Sequence, residues 1–349
     1  MFFKSKSISE SLSQNIQLCL TTFFNLPDID FSRCFALDNN TLVLTLPFAA
    51  KQQHLALKQQ LEAVLLADKS AIKQVVIQTS VTSSPTLVTG IANVKNIIAV
   101  ASGKGGVGKS TTTVNLAFAL QAEGAKVGIL DADIYGPSIP LMLGNAELKP
   151  TSEDQKRVDP LAVHGVVATS IGYFVPAENA TVWRGPMASK ALLQLLNETN
   201  WPELDYLIVD MPPGTGDIQL TLAQQMPVSA AVIVTTPQDL ALADATKGIA
   251  MFNKVKVPVL GIVENMSFHV CSQCGHHEAI FAEHGAEKLA AAFTLPLLGQ
   301  LPLDIKIRQH ADGGKPLQLS EPQHALSLAY QQLARETAKA LWLKSFNQV

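Results

Sequence analysis

Residues 103–111 read Gly103-Lys104-Gly105-Gly106-Val107-Gly108-Lys109-Ser110-Thr111. The stretch fits G-x-x-x-x-G-K-[ST], the pattern of a phosphate-binding P-loop. Its glycines allow consecutive backbone N–H groups to turn inward around a phosphate, in conformations where a Cβ atom would clash. We expect Lys109 to reach the β- and γ-phosphates and the Ser110 hydroxyl to bind Mg²⁺. The motif therefore predicts a nucleotide site, with all nine residues in or beside it.

The sequence on either side provides the setting that a P-loop requires. Residues 96–101 form a short apolar run, typical of a buried parallel strand. Residues 111–120 are apolar on a helical period, and Gly124 is expected to end that helix. The helix would offer its positive N-terminal end to the phosphates. A chance glycine-rich turn would not have these flanks.

Composition and charge limit the classes of function. The chain has 349 residues, of which 47% are apolar and 16% charged, enough for a large α/β domain and a smaller unit. A net charge of −3 argues against a general nucleic-acid binder, and four cysteines do not suggest a disulfide scaffold. Residues 1–7 lack an apolar signal core, and no apolar run reaches the roughly 18 residues that span a bilayer. We expect a cytoplasmic protein without stable membrane association.

Three segments are predicted along the chain. Residues 1–80 form a small α+β domain, residues 81–92 a linker rich in turn-forming residues, and residues 93–349 the nucleotide-binding domain. Within the first segment, the hydrophobic pattern predicts strands at 41–46 and 73–79 and, between them, an amphipathic helix at 54–66.

The third segment alternates between buried strands and helices. Apolar strands are predicted at 126–130, 206–209, 230–235 and 259–263, with a helix at 240–252 after the third of them. Repeated β–α units of this kind predict an α/β fold with a mostly parallel sheet and helices on both faces. Sites in such sheets lie at the carboxyl ends of the strands.

Carboxylates follow two of these strands. Asp210 ends an apolar strand and precedes a Pro-Gly-rich turn at 211–217 that resembles a switch loop, so we expect it to hold Mg²⁺. Asp131 and Asp133 follow the strand at 126–130. One of them could face the metal while the other polarises an attacking water, although spacing alone leaves open that one is only a turn former.

Cys271 and Cys274 are spaced so that two thiolates can bind one metal centre. A [4Fe–4S] cluster typically takes four cysteines, which two such pairs would supply in a two-fold dimer. Three other interpretations stay open from the residues alone. A zinc site could use His269, His276 or His277 within one chain, and two pairs could hold zinc as Cys₄. A redox dithiol is less suitable because such pairs normally open a helix.

The order of several motifs indicates a family. The run from Lys104 to Lys109 resembles the deviant P-loop of the MinD, ParA and nitrogenase-iron-protein class. Further blocks follow in that family's order: Trp-Arg-Gly-Pro-Met at 183–187, Asp-Met-Pro-Pro-Gly-Thr-Gly-Asp at 210–217, Thr-Thr-Pro-Gln at 235–238, Glu-Asn-Met-Ser at 264–267 and Cys-Ser-Gln-Cys-Gly at 271–275. Together, over about residues 93–320, they resemble the Mrp/ApbC-type iron–sulfur cluster carrier ATPases.

This resemblance implies roles for particular residues. Lys104 would cross a homodimer interface to the partner's phosphates, and Asp133 would lie near the attacking water. Asn265, Pro302 and Asp304 would lie near the adenine base. The implied cofactors are ATP, Mg²⁺ and a [4Fe–4S] cluster.

The same resemblance implies a task for the whole protein. Cys271 and Cys274 of two subunits would hold the cluster, slow ATP hydrolysis would act as a switch, and apo-proteins would receive the cluster. The family's Asp-Pro-Glu motif is not evident in residues 1–80, so that domain is assigned no site. Its cysteines, Cys19 and Cys34, lack ligand spacing and are expected to be free and buried.

The main alternative is a positioning ATPase of the ParA/MinD kind, cycling on DNA or membrane. Such a protein would need a basic surface or a terminal amphipathic anchor, and residues 340–346 are short and only weakly basic. They fit the end of a packed helix better. An ATP-dependent ligase or reductase lacks a recognisable second substrate pocket in the sequence.

Overall fold

The computed structural model describes residues 8–153, 155–174 and 183–346, so the prediction made for residues 1–7 lies outside the described residues. The chain divides into two compact units, Met1–Thr82 and Ser83–Val349. This division falls within the predicted linker. On one side of it the Ser80 N–H donates to the Leu46 carbonyl at 2.9 Å. On the other, the Ser84 N–H donates to the Asn96 side chain at 2.9 Å, so Ser84 belongs with the second unit.

From residue 8 onward, the first unit has a three-stranded sheet and two α-helices. Its elements are α1 (Glu10–Phe24), β1 (Phe35–Asp38), β2 (Thr41–Leu46), α2 (His54–Ala67) and β3 (Gln74–Thr79). The sheet order is β1-β2-β3, with β1 antiparallel and β3 parallel to β2. Alternate residues of β2 are buried, as are leucines at four-residue spacing on α2, which is the pattern the sequence predicted.

The second unit contains the remaining helices and strands. They are β4 (Ile97–Ala101), α3 (Lys109–Ala122), β5 (Val127–Asp131), α4 (Ile139–Met142), β6 (Leu161–Val163), β7 (Val166–Ser170), α5 (Gly185–Glu198), β8 (Tyr206–Asp210), α6 (Asp217–Gln225), β9 (Ala230–Thr235), α7 (Asp239–Lys254), β10 (Val259–Glu264), β11 (His269–Val270), β12 (His277–Glu278), α8 (Gly285–Phe293), β13 (Leu297–Gln300), α9 (Ile305–Asp312), α10 (Leu317–Ser320) and α11 (Ala325–Phe346).

Eight of these strands form one sheet in the order β13-β10-β9-β4-β8-β5-β7-β6. Neighbouring strands are parallel except for β6, which is antiparallel to β7 at one edge. Strands β4, β5, β8, β9 and β10 are buried along their whole length, as expected where helices cover both faces. The predicted α/β fold with a mostly parallel sheet is confirmed.

The helices of this unit form two groups. Helix α3 packs against α11, whereas α5 to α8 contact one another in succession. Leu341 and Trp342 are buried on α11, so the C-terminal segment is the end of a packed helix, as the sequence predicted. In the described part of the chain, no helix combines the length and hydrophobicity needed to cross a bilayer.

This topology gathers the polar residues of interest. The P-loop follows β4 at the centre of the sheet, Asp210 ends the neighbouring β8, and Asp131 ends β5 directly across from Asp210. On the other side, Glu264 ends β10. Because parallel strands end at the same sheet edge, these groups lie along one line.

Candidate functional site

The P-loop connects β4 to α3 in a conformation that needs its glycines. Gly106 and Gly108 have φ values of 82° and 84°, a left-handed region that disfavours other residues. A Cβ atom on Gly103 would overlap the backbone of Asp244. Helix α3 begins at Lys109, so the N–H groups of its first turn point toward the loop, which makes an anion site.

Lys109, Ser110 and Asp210 form a buried polar cluster beneath the loop. The Lys109 Nζ lies 2.8 Å from Asp210 Oδ1 and 3.5 Å from Asp133 Oδ2. The Ser110 hydroxyl donates to Asp210 Oδ2 at 2.6 Å. Asp210 is fully buried, and the adjacent hydroxyl and carboxylate oxygens are the hard donors that Mg²⁺ prefers. The structure thus brings together three residues that the sequence assigned to phosphate and metal binding.

Thr113 is a member of this cluster that the sequence analysis missed. Its hydroxyl donates to Asp210 Oδ1 at 2.8 Å, so Asp210 accepts from two successive turns of α3. The signal was available, because Thr113 follows Ser110 by three residues and lies on the same helical face.

Asp131 and Asp133 have different surroundings. Asp131 is fully buried and accepts from the Ser170 hydroxyl at 2.9 Å and from the N–H groups of Asp133 and Ile139 at 3.1 and 3.3 Å. Burial, reinforced by the nearby charge of Asp210, raises its pKa to about 7. Its hydrogen bonds show that Asp131 organises the loop after β5.

Asp133 lies beyond the end of β5, with its side chain 13% exposed and pointing to Lys109. Burial raises its pKa, and the ammonium of Lys109 opposes that rise. Of the two carboxylates, Asp133 is the one open to an incoming water. This placement is compatible with the role beside the attacking water, which stays a prediction.

Asn265 contacts the P-loop directly. Its Nδ2 donates to the Val107 carbonyl at 2.9 Å, and a Cβ atom on Gly108 would overlap the same amide group. Its backbone N–H donates to the Thr235 carbonyl at 2.8 Å, which fixes it beside β9. The adenine contact of Asn265 stays a prediction, and the structure holds the residue against the phosphate loop.

Pro302 and Asp304 lie in the wall of a cavity of about 600 Å³ that also includes Cys271. Asp304 caps α9 by accepting from the Lys306 N–H at 2.7 Å. The structure therefore groups these residues with the cysteine turn, and their contact with an adenine base stays a prediction.

The cysteine pair occupies a tight turn between β11 and β12. The Cys271 N–H donates to the His276 carbonyl and the Gly275 N–H donates back to Cys271, both at 2.9 Å. Gly275 adopts φ 71°, so it allows the turn to close. Cys274 is exposed and Cys271 is partly so. The N–H groups of Cys274 and Gln273 lower the pKa of Cys271, which favours the thiolate that binds metals.

The surroundings of the pair bear on the alternative interpretations. Among the described residues, no group of three or more His, Cys, Asp and Glu side chains is placed to hold a metal ion. His269 Nδ1 is within 3.1 Å of the Leu303 carbonyl, and the ring of His277 stacks on Phe268. The described residues thus do not assemble a complete zinc site within one chain, and the pair lies between strands, unlike redox pairs that open helices.

Two further predictions concern the loops of the sheet edge. Lys104 is partly exposed, and its ammonium has no hydrogen bond or ion pair with any residue that the structure describes. The turn after Asp210 is tied to the residue that precedes the P-loop, since the Gly214 N–H donates to the Ser102 carbonyl at 3.0 Å. If this edge of the sheet is to respond to a bound nucleotide, it needs a cation without a partner and a loop linked to the phosphate site. Lys104 and the turn after Asp210 meet these requirements among the described residues.

Cys19 and Cys34 are free, as predicted, but only half-buried. The expectation of buried cysteines is wrong: Cys19 lies on α1 beside the exposed Leu18, and Cys34 ends the short helical turn Ser32–Cys34, in which no residue is buried. Burial raises the pKa of both thiols, that of Cys34 to about 11.

Comparison with known proteins agrees with this geometry. A family model of the ParA group, described as NUBPL iron-transfer P-loop NTPase, matches residues 93–338. The "Iron-sulfur cluster carrier protein" of Haemophilus influenzae is 56% identical over 308 residues, covering 87% of this chain and 83% of the relative. That of Escherichia coli K12 is 65% identical over 253 residues, covering 72% and 69%.

Solved structures show the same fold. A nucleotide-binding protein of Archaeoglobus fulgidus in complex with ADP has a TM-score of 0.59 at 38% identity, covering 66% of this chain and 90% of that one. The cell division ATPase MinD of Pyrococcus furiosus has a TM-score of 0.53 at 24% identity, covering 70% and 98%. The second likeness is one of fold alone.

Proposed function

The chain belongs to the ParA-group family of NUBPL iron-transfer P-loop NTPases, and from this premise we propose that it binds and hydrolyses ATP and carries an iron–sulfur cluster to apo-proteins. The observation that carries the proposal is the two-cysteine turn. It presents Cys271 and Cys274 at the surface, and no third ligand for a metal is grouped with them among the described residues. A second copy of the turn would complete a four-thiolate site for a [4Fe–4S] cluster.

The nucleotide half of the function uses the cluster around Lys109. Lys109 would bind the β- and γ-phosphates, while Ser110 and Asp210 would hold Mg²⁺. The bound metal supplies charge neutralisation for the phosphates. Asp133, partly open and close to Lys109, would orient the attacking water. Hydrolysis is proposed to be slow, because the task is switching.

A homodimer would combine the nucleotide chemistry with the binding of the cluster. Lys104, which lacks a partner among the described residues, would cross to the other subunit's phosphates and stabilise charge in the transition state. Tyr135 and Leu240 follow β5 and β9 at the same sheet edge and are 62% and 68% exposed. They would provide apolar area for the contact between copies.

The remaining proposals concern the roles of the two domains and the location of the protein. Residues 93–349 would perform both the nucleotide and the cluster chemistry, and no site is proposed in residues 1–80. All four cysteines are free in the structure, which fits a reducing compartment, so the cytoplasm is the proposed location.

The test is anaerobic reconstitution with iron and sulfide. Cys271→Ala should lose the brown chromophore and most of the bound iron, since half of the thiolate ligands are removed in each dimer. Cys34→Ala is the matched control and should keep both, because Cys34 lies in the first unit. Full cluster absorbance in Cys271→Ala would refute the ligand assignment.

A second variant tests the nucleotide half independently. Lys109→Ala should weaken ATP binding by roughly 100-fold or more, which corresponds to about 2.7 kcal/mol, because the residue pairs with the phosphates as a point charge. The affinity would be measured by calorimetry, together with thermal unfolding to verify folding. Unchanged ATP affinity would overturn the phosphate-site assignment.

A further inference from the structure

The carboxyl end of β10 lies between the nucleotide site and the cysteine turn. Glu264 is the last residue of the strand, and Asn265 follows it. Only six positions separate Asn265 from Cys271 (271 − 265). The segment is therefore a short covalent connection between a residue that contacts the P-loop and a proposed cluster ligand.

Asn265 fixes the upstream end of this connection. Its side chain donates to the Val107 carbonyl at 2.9 Å and is only 5% exposed. A Cβ atom built on Gly108 would overlap the same amide group, so the backbone of the loop passes close to Asn265. A displacement of the P-loop thus reaches Asn265 directly.

Glu264 anchors the middle of the connection. Its carboxylate is 1% exposed and accepts from the Ser267 hydroxyl at 2.6 Å, the Gln300 amide at 3.0 Å and the Ala286 N–H at 2.8 Å. These donors belong to the connecting segment, β13 and the first turn of α8. A buried carboxyl group with three hydrogen-bond donors is strongly fixed in position. Glu264 thereby joins β13 and α8 to the segment.

The downstream end is paired along its length to the residues after β13. The Ser267 N–H donates to the Leu301 carbonyl at 2.9 Å, and the Leu303 N–H donates to the Phe268 carbonyl at 2.7 Å. His269 Nδ1 is 3.1 Å from the Leu303 carbonyl, one residue before Val270 leads into the turn. Hydrogen bonds therefore hold the segment at Glu264, at Asn265 and again at residues 267–269, just before the cysteine turn.

We propose that Asn265 and Glu264 are positioning residues that transmit the nucleotide state of the P-loop to the Cys271 turn. Asn265 follows the Val107 carbonyl, and Glu264 makes the connecting segment move with β13 as one body. Since coupling between sites is reciprocal, a bound cluster must change the affinity for ATP by the same factor that ATP changes cluster retention. This inference rests on the proposed function.

The first test requires no metal. Hydrogen exchange of the Ser267, Leu303 and Cys271 amides is measured in the full-length protein with and without ATP and Mg²⁺. ATP should slow their exchange at least about fivefold, the lower end of typical coupling. The Val257 N–H, bonded to the Phe252 carbonyl at the opposite end of β10, should not respond. Unchanged or faster exchange at the three amides, with ATP bound, would overturn the proposal.

The variant Glu264→Gln keeps the size of the side chain but replaces one acceptor oxygen with a donor. It should bind ATP within about twofold of wild type while losing the ATP-dependent part of the protection. Glu123→Gln is the matched control, a buried carboxylate that pairs with Arg335 at the far end of α3, and it should keep the response. A merely structural residue would change exchange equally with and without ATP. A wild-type response in Glu264→Gln would refute the assignment.

Two further arms complete the design. If Glu264→Gln does not fold, Ser267→Ala removes one of the three bonds to Glu264 and should lose part of the response; an undiminished response would count against the proposal. In reconstituted wild type, the cluster should change the dissociation constant of ATP at least about fivefold, and in Glu264→Gln the ratio should approach one. A protein that binds no cluster fails the proposed function, whereas one that binds both ligands without coupling fails only this inference.

Discussion

At the scale of single residues, the cysteines illustrate how environment separates identical groups. Cys271 is surrounded by the amide N–H groups of its own turn, which stabilise a thiolate and lower its pKa. Cys34 is half-buried near Asp30, and both burial and that negative charge raise its pKa to about 11. The sequence distinguished these thiols by spacing, and the structure gives the distinction a chemical basis.

This difference predicts an order of alkylation. A lowered pKa increases the thiolate fraction at neutral pH, whereas a raised pKa decreases it, so iodoacetamide at pH 7.5 should modify Cys271 at least about tenfold faster than Cys34. The rate at Cys271 should reach half of its maximum below pH 9, its ordinary value, as the pH rises. Peptide mass spectrometry over a pH series measures both. Equal rates for the two cysteines would contradict the prediction.

At the scale of elements, the start of α3 is fixed by backbone geometry. Gly108 precedes the helix with φ 84°, and its neighbour across the loop is the Asn265 amide. The position therefore combines a conformational requirement with a close contact. Gly105 in the same loop has neither, since nothing lies within 4 Å of a Cβ atom built there.

A pair of alanine variants tests this reading. Gly108→Ala should lower the free energy of unfolding by about 1–3 kcal/mol and weaken ATP binding, because left-handed backbone strain and overlap add together. Gly105→Ala should change stability by less than about 0.5 kcal/mol. Urea unfolding and calorimetry measure the two quantities. The prediction fails if Gly108→Ala is as stable as Gly105→Ala.

The elements also show how far the sequence was sufficient. Continuous apolar runs identified β4, β5, β8, β9 and β10 to within one or two residues, because buried parallel strands have no polar alternation to obscure them. The short strands β6, β11 and β12 carry no such signal. They exist through pairing with partners, which a local pattern does not encode.

The same distinction applies to the candidate site. Lys109, Ser110 and Asp210 were predictable because a motif and a strand end specify their positions. The contact of Asn265 with Val107 joins residues 158 apart in sequence, and the three donors to Glu264 come from separate elements. Such contacts depend on which strands become neighbours in the sheet, and spacing along the chain does not contain that order.

At the scale of the whole molecule, the proposed function needs two copies. Each subunit would lend a lysine to its partner's nucleotide site and two thiolates to a shared cluster, so the assembly is expected to have two-fold symmetry. Light scattering with ATP, Mg²⁺ and a reconstituted cluster should give twice the mass of the chain. A strictly monomeric protein under those conditions would refute the model.

The proposed role of Lys104 can be tested separately from dimer formation. Lys104→Ala should reduce ATP turnover by roughly 10³-fold while leaving ATP affinity within a few-fold, because a trans-acting cation contributes mainly in the transition state. Lys126→Ala is the control: that side chain pairs with Glu203 before the start of β5, at the opposite sheet edge. Normal turnover in Lys104→Ala would rule out the trans role.

The brevity of the chain between Asn265 and Cys271 has a consequence for how the protein can be altered. A fully extended backbone spans at most about 3.5 Å per residue, so the six residues from Asn265 to Cys271 form a tether of about 21 Å at the longest. Whatever rearrangement the subunits undergo, Cys271 cannot move farther than that from Asn265, which contacts the phosphate loop of the same subunit. Inserting two or three glycines into this tether would leave every ligand in the chain but make the connection flexible. Each site should then bind its ligand without affecting the other.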